Sequence, residues 1–273
     1  MVNNTQDMKQ TYDHQGYFVI RNYFNDAQIT ALREVILTFH NAWKQANKRF
    51  YQEEAFNSSL ITGSEYLNDD DRVSLFNFIS SNKIMDIVNA VIPNHPAFMN
   101  TQLFFNPYNQ QQENFWHRDC QYDHNLADQQ KAIQETQVLH LRVPLFDEPG
   151  MELVPGSHKR WDSNEELDVR LARKRKFSSD ALSTGKQIEL AAGDLLVFSA
   201  DMIHRGIYGL DRLAFDILVF DSAGDFVDYV DYVDYDCLPN QQMLKEINNP
   251  SLFNNTLRLK ALQLANHSDE VIV

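Results

Sequence analysis

The sequence predicts a mainly β core with helices packed outside it, and three observations carry that expectation. From Phe98 onward, short apolar or alternating runs are separated by Asn, Pro, Gly and Asp, the texture of antiparallel strands joined by turns. Ahead of them, the stretch after Asn25 repeats apolar residues at helical steps. With 273 residues, 43% of them hydrophobic and 12% aromatic, the chain can bury a sizeable core and suits one domain.

Taken in order, Gly16-Tyr-Phe-Val-Ile-Arg-Asn-Tyr-Phe24 is β-branched and aromatic, as a strand requires, and Asn25-Asp26 offers an N-cap for a helix. That helix is expected over 26–48, with Ile29, Leu32, Ile36 and Phe39 as the stripe that packs on the core. A second helix is expected over 83–91, stopped by Pro93. Strands are expected at 98–105, 138–146, 187–190, 195–198 and 213–220, with a charged insertion at 161–184 that holds a helix around 164–173. The tail beyond Leu238 has a helical period at Leu257, Leu259, Leu262 and Leu264. The expected organisation is a single domain over 1–273: a strand and helices in 1–97, the β core in 98–222, and a C-terminal extension in 223–273.

Val-Asp-Tyr occurs three times in succession within 227–235, far too short a repeat for a solenoid. It reads either as an edge or surface segment with solvated acids or as an acidic, aromatic lip that attracts a cationic substrate. Lys and Arg total 24 against 38 Asp and Glu, a formal charge of -14, which disfavours nucleic acid and anionic membranes as partners and leaves a small molecule. No apolar run suggests a membrane span and the polar opening lacks a signal-peptide design, so a cytoplasmic location is expected. Two cysteines, Cys120 and Cys237, make no disulfide framework and fit a reducing compartment.

Phe115-Trp-His117-Arg-Asp119 sets a histidine and an aspartate two residues apart, and in an extended segment that spacing puts both side chains on one face. Arg118 and Cys120 then point away. Such a pair alone is common by chance and needs a third donor. Gly193-Asp-Leu-Leu-Val-Phe-Ser-Ala-Asp-Met-Ile-His204 supplies it, an apolar strand that follows a turn and ends in a histidine. Two imidazoles and a carboxylate on one face of an octahedral ion leave three positions open, the donor set of non-haem iron(II) oxygenases. His117, Asp119 and His204 are therefore the expected ligands of Fe(II) and the catalytic centre, with the open positions serving 2-oxoglutarate and molecular oxygen. The remote carboxylate of 2-oxoglutarate needs a guanidinium partner. Arg212, eight residues past His204, opens the run Arg212-Leu-Ala-Phe-Asp-Ile-Leu-Val-Phe220 and is returned to the same cavity by a hairpin.

With these pieces together the sequence resembles the phytanoyl-CoA dioxygenase family of Fe(II)/2-oxoglutarate oxygenases over nearly its whole length. The resemblance rests on the Gly16 to Phe24 strand with its helix, the Trp116 to Asp119 pair, Val154-Pro-Gly-Ser-His158-Lys, and the Gly193 to His204 strand, in that family's order. It implies a double-stranded β-helix, a cupin-like jelly roll with helices outside and the ligands in its mouth. It implies Arg212 as the 2-oxoglutarate arginine, on a shorter loop than members usually have. It also points to the strand on which Asn100, Gln102 and Phe104 share a face, so Asn100 and Gln102 join Arg212 as cofactor-binding candidates. The reaction implied is hydroxylation of an unactivated carbon of a small metabolite with release of succinate and carbon dioxide. Asp119 favours that outcome over halogenation, which in related enzymes needs the carboxylate absent.

Within such a jelly roll, Val138-Leu-His-Leu-Arg-Val-Pro-Leu145 places leucines and Val143 on one face and His140, Arg142 and Pro144 on the other. Arg142, with His140, is the expected substrate or 2-oxoglutarate contact; the competing expectation is a solvated or salt-bridged outer face. Of the nine histidines, His14, His40, His95 and His267 read as surface or capping residues, His124 lacks a strand-exit partner, and His158 reads as holding a loop. No Gly-x-Ser-x-Gly elbow or phosphate-cradling loop supports a hydrolase. Two other classes stay open, a non-catalytic jelly-roll binding module and a metal-dependent isomerase or epimerase that does not use 2-oxoglutarate. The acidic balance favours a free metabolite over a coenzyme A thioester.

Overall fold

The computed structural model describes residues 5–135, 137–223 and 226–270. The first half runs α1 (Thr5–Gln15), β1 (Tyr17–Ile20), α2 (Asp26–Ala46), α3 (Lys48–Glu53), β2 (Asn57–Ser59), α4 (Asp69–Ile79), α5 (Asn82–Val91) and β3 (Pro96–Phe105). It continues through α6 (Leu126–Glu135), β4 (Val138–Pro144), β5 (Glu148–Leu153), α7 (Asn164–Arg170), β6 (Lys186–Leu190), β7 (Leu195–Ser199), β8 (His204–Gly206) and β9 (Leu213–Asp221), and ends in α8 (Met243–Glu246) and α9 (Ser251–Glu270).

The strands form two antiparallel sheets, one of six strands in the order β1-β7-β4-β9-β3-β2 and one of three in the order β6-β5-β8. Because side chains alternate along a strand, each face of the larger sheet meets a different partner. On the outer face Leu139, Leu141, Val143, Leu195, Val197, Phe215, Ile217 and Val219 pack with Ile29, Leu32, Ile36 and Phe39 of α2 and with residues of α4, α5 and α9 in one cluster. On the inner face Leu196 and Phe198 meet Met151, Leu153, Ile188 and Leu190 of the smaller sheet. Strands covered on both faces explain why β4 and β7 are buried at every residue. Full burial of one such Ile or Leu contributes about 1.5–3 kcal/mol, so the outer face holds most of the fold's apolar driving force.

The expected elements are present at the expected places, and α2 begins with a capping box in which Asn25 accepts from the Gln28 N–H at 2.9 Å and the Gln28 side chain accepts from Asn25 N–H at 3.2 Å. The balance of the expectation needs correction. Helix makes up 42% of the chain, so the fold is a sheet core within a helical coat rather than mainly β. Helices α1, α4 and α6 are amphipathic stretches of ten or eleven residues with many polar positions, which weakens their periodic signal. In α9 the buried face carries Leu252, Phe253, Thr256, Leu259 and Lys260, whereas Leu262 and Leu264 face solvent.

The Val-Asp-Tyr segment is no edge strand. It coils into two 3-10 turns, Phe226–Tyr232 and Tyr235–Cys237, over α9, where the Lys260 ammonium donates to the Val230 and Val233 carbonyls. No helix among the described residues is long and apolar enough to cross a membrane.

Candidate metal centre

His117 and His204 face each other as an isolated antiparallel bridge between the segment before α6 and β8. The His117 N–H donates to the His204 carbonyl at 3.0 Å and the His204 N–H returns the bond at 2.9 Å, so the two side chains leave one face as a directly opposed pair. Their ring centroids are 4.2 Å apart. Arg118 is extended, so Asp119 emerges on the His117 side while Arg118 turns the other way, and the Asp119 N–H is fixed by the Ala200 carbonyl at 3.1 Å. The expected trio thus converges: donor atoms of His117, Asp119 and His204 all lie within 4.8 Å of one another, the only such three-donor group among the described residues.

Proton placement follows from the hydrogen bonds. Nδ1 of His117 lies 3.1 Å from the Phe115 carbonyl and Nδ1 of His204 lies 2.9 Å from the Met202 carbonyl. A carbonyl only accepts, so each Nδ1 carries the proton and each Nε2 presents a lone pair. Those Nε2 atoms point at Asp119 Oδ1 from 3.6 and 3.4 Å. Three electron-pair donors aimed at one point repel unless a cation sits between them, and backbone-anchored imidazoles are how proteins prepare metal ligands. Burial lowers the proton affinity of both rings, and for His204 burial followed by neighbouring His117 brings the pKa down to about 3, which keeps the lone pairs available at neutral pH. Burial resists ionisation of Asp119, but the His140 hydrogen bond and the nearby imidazoles outweigh it and hold the carboxyl well below its ordinary range.

His140 and Arg142 project from β4 into the same space with their donors already engaged. His140 stacks on Phe198 at 4.6 Å, its Nε2 is 2.8 Å from Asp119 Oδ2, and its Nδ1 is 3.4 Å from Asp216. Arg142 donates from Nε and Nη2 to Glu148 at 2.9 and 3.1 Å and from Nη1 to Asp216 at 3.1 Å. Both also line the metal cavity, where the sequence suggests contacts for substrate or 2-oxoglutarate. They form a buried salt-bridged wall on the inner face, with His140 steering the Asp119 carboxylate.

Arg212 differs. It is fully enclosed, its Nη1 donates to the Phe105 carbonyl at 3.2 Å, Glu148 lies 3.6 Å from Nε without a hydrogen bond, and Nε has no partner. Burial, followed by the neighbouring Arg142 charge, lowers its pKa to about 10, so it remains a cation at neutral pH. A Cβ on Gly206 would stand 2.3 Å from Arg212 Nη2, so glycine there lets the guanidinium lie across β8.

A cavity of about 390 Å³ joins these parts, lined by the trio, by Arg212 and Gln102, and by the Arg142 wall. Gln102 is among the lining residues and Asn100 is not. A β-bulge between Phe98 and Asn100 interrupts the β3–β9 register, Met99 reaches the cavity instead, and the Asn100 side chain accepts from Thr101 N–H at 2.7 Å. Lining residues not anticipated from sequence include Phe56, Asn57, Tyr122, Asp123 and Tyr208. Asn57 sits on a three-residue edge strand with no periodic signal, while Tyr122 and Asp123 stand just after the ligand pair and could have been suspected from that alone.

Of the decoys, His124 stands outside the convergent trio. His158 packs beside the Tyr12 ring and against Gly16, with no hydrogen-bond partner on either ring nitrogen. His40 is not a surface residue: it is 6% exposed against Phe105, and burial lowers its pKa to about 4. The side chain of His267 lies outside the described residues.

Among solved structures, HygX from Streptomyces hygroscopicus, determined with nickel and 2-oxoglutarate bound, matches 81% of this chain and 88% of its own at a TM-score of 0.59 and 13% identity. AviO1 from Streptomyces viridochromogenes Tue57 matches 82% and 97% at 0.58 and 16% identity. EctD from S. alaskensis, with 2-oxoglutarate and 5-hydroxyectoine, matches 78% and 74% at 0.54 and 13% identity. At such identities the likeness concerns the fold. No curated protein matches the sequence. The sequence profile described as phytanoyl-CoA dioxygenase (PhyH) matches residues 12–207, a span that contains all three convergent donors and stops short of Arg212. The chain therefore belongs to the phytanoyl-CoA dioxygenase family.

Proposed function

We propose that this protein hydroxylates an unactivated carbon of a small metabolite, using Fe(II), 2-oxoglutarate and molecular oxygen and releasing succinate and carbon dioxide. Iron and 2-oxoglutarate are the cofactors of the family, and the donor set fits them. The observation that carries the reading is the pair of Nδ1-protonated imidazoles whose free lone pairs meet the Asp119 carboxylate in one cavity with a partly unpaired arginine. In this reading His117, Asp119 and His204 hold the metal, which when bound supplies oxygen activation coupled to decarboxylation of the keto acid. Arg212 seats the remote carboxylate of 2-oxoglutarate, and Gln102 lines the same cavity. His140 keeps one Asp119 oxygen engaged so that the other faces the metal. Phe56, Phe115 and Tyr122 supply apolar surface at the mouth that keeps water from the reacting carbon. The two sheets act as the walls of one jelly-roll domain spanning 1–273, and the two unbridged cysteines suit a reducing, cytoplasmic setting.

The test is turnover. With Fe(II), 2-oxoglutarate, oxygen and a panel of free metabolites and thioesters, succinate should form in step with a product carrying one added oxygen atom, and Asp119→Ala should abolish both. Metal-dependent conversion of a substrate without succinate would favour an isomerase instead.

A further inference from the structure

The register of the larger sheet divides the metal cavity into a charged half and an uncharged half. Directly opposed residues share a face, so the pairing of Arg142 with Asp216, and of Asp216 with Gln102, sets these three side chains in one row across β4, β9 and β3. On β3 the flanking Leu103 and Phe105 belong to the outer cluster, which by alternation turns Gln102 and Phe104 inward. Phe104 in turn stands opposite Asn57 on β2. The inner face therefore changes from ion-paired groups on β4 and β9 to neutral amides and a phenyl ring on β3 and β2.

The charged half has no cation left for a substrate. Arg142 and Arg212 are the only lysine or arginine residues on the cavity lining among the described residues. Each nitrogen of the Arg142 guanidinium donates to Glu148 or Asp216, and in the oxygenase reading Arg212 is taken by the remote carboxylate of 2-oxoglutarate. Of the lining carboxylates, Asp119 belongs to the metal trio, Asp216 is engaged by Arg142 and His140, and Asp123 is exposed, where water already solvates it.

The other half carries polarity without charge. Asn57, Gln102 and Asn114 line the cavity, and their side chains make no hydrogen bond to the described residues. Phe56 and Phe115 meet edge to face at 5.9 Å, and the Phe115 ring lies 5.3 Å from that of His117, so apolar surface leads up to the metal ligands. An amide both donates and accepts, and so matches a hydroxyl or a carbonyl. It cannot neutralise a carboxylate, a phosphate or an ammonium, and a charge carried into an enclosed space without a counter-charge is unfavourable.

We propose that the substrate is an uncharged compound, an apolar skeleton bearing hydroxyl or carbonyl groups, held against Asn57, Gln102 and Asn114. This rests on the oxygenase reading and narrows its substrate class. The iron-loaded protein with 2-oxoglutarate, held anaerobically, is titrated by calorimetry with 3-phenylpropan-1-ol, 3-phenylpropionate and 3-phenylpropylamine, which share one skeleton and differ in charge. The alcohol should bind saturably, and the carboxylate and the amine each with an affinity lower by about tenfold or more. Asn57→Lys brings a cation into the uncharged half and should make the carboxylate bind better than the alcohol while the iron/2-oxoglutarate absorption band is unchanged; Asn114→Lys serves instead if the first variant loses the band. A carboxylate or amine that binds the unaltered protein as tightly as the alcohol, no saturable binding of the alcohol, or an order of preference unchanged in the variant would overturn the proposal and leave the metal centre standing. Absence of the absorption band in the unaltered protein would remove the oxygenase reading itself.

Discussion

Arg118 and Arg212 are both buried near the metal centre, and what separates them is how many of their donors are taken. Arg118, between two of the candidate ligands, donates from Nε and Nη2 to Asp162 at 2.9 and 2.8 Å, from Nη1 to the Ser157 carbonyl at 2.8 Å and to the Asp201 carbonyl, and from Nη2 to the Arg160 carbonyl at 3.1 Å. Arg212 is as thoroughly enclosed yet makes one hydrogen bond to protein. Removing a charge from water is costly in both places, so an enclosed guanidinium with donors to spare is tolerable where a ligand completes it. Burial marks both residues alike. Only the tally of donors distinguishes the arginine that ties the ligand segment to the Ser157 and Asp201 loops from the one that can receive a carboxylate.

The largest effect should come from breaking the first. Arg118→Met leaves several carbonyls and part of Asp162 without donors, and chemical denaturation should show a loss of about 3 kcal/mol. Arg212→Met, by contrast, removes a charge that sits beside Arg142, and should change stability by no more than about 1 kcal/mol in either direction. Equal losses in both variants would erase the distinction.

Two buried histidines sharpen the same contrast at intermediate size. His140 lies between Asp119 and Asp216, whereas His40 has no carboxylate and its Nδ1 has no partner. Folded His40 takes up a proton only near pH 4, while the unfolded chain does so near 6.5. The unfolded state therefore binds more protons between those values, and stability is lost as pH falls through that window, by about 2–3 kcal/mol at its lower end. His40→Leu should flatten that part of the stability-against-pH curve, and an unchanged slope would show that His40 does not set it.

The smallest effect concerns Gly206. A methyl there must displace Arg212 Nη2 from 2.3 Å, so Gly206→Ala should weaken 2-oxoglutarate binding by about tenfold with iron affinity intact. Unaltered 2-oxoglutarate affinity would show that the guanidinium position is not critical.

Much of this was legible in the sequence because it depends on local period. The two-residue step from His117 to Asp119, the apolar run ending at His204 and the alternation along β4 are all readable without tertiary knowledge. What stayed hidden depends on pairing between distant segments. Arg142 stands opposite Asp216 in the β4–β9 register, which pairs its guanidinium with that carboxylate, and the bulge at Met99 puts Met99 rather than Asn100 among the cavity-lining residues. Neither can be read from one strand alone, since register is set by the partner.

The measurement closest to the metal centre is an anaerobic absorption titration with Fe(II) followed by 2-oxoglutarate. The unaltered protein should develop a visible charge-transfer band, His204→Ala should lose iron and the band together, and Arg212→Met should keep iron but need about 100-fold more 2-oxoglutarate. An Arg212→Met variant that saturates at the same 2-oxoglutarate concentration as the unaltered protein, or a His204→Ala variant that forms the same band, would contradict the assignment of this cavity as the iron and keto-acid site.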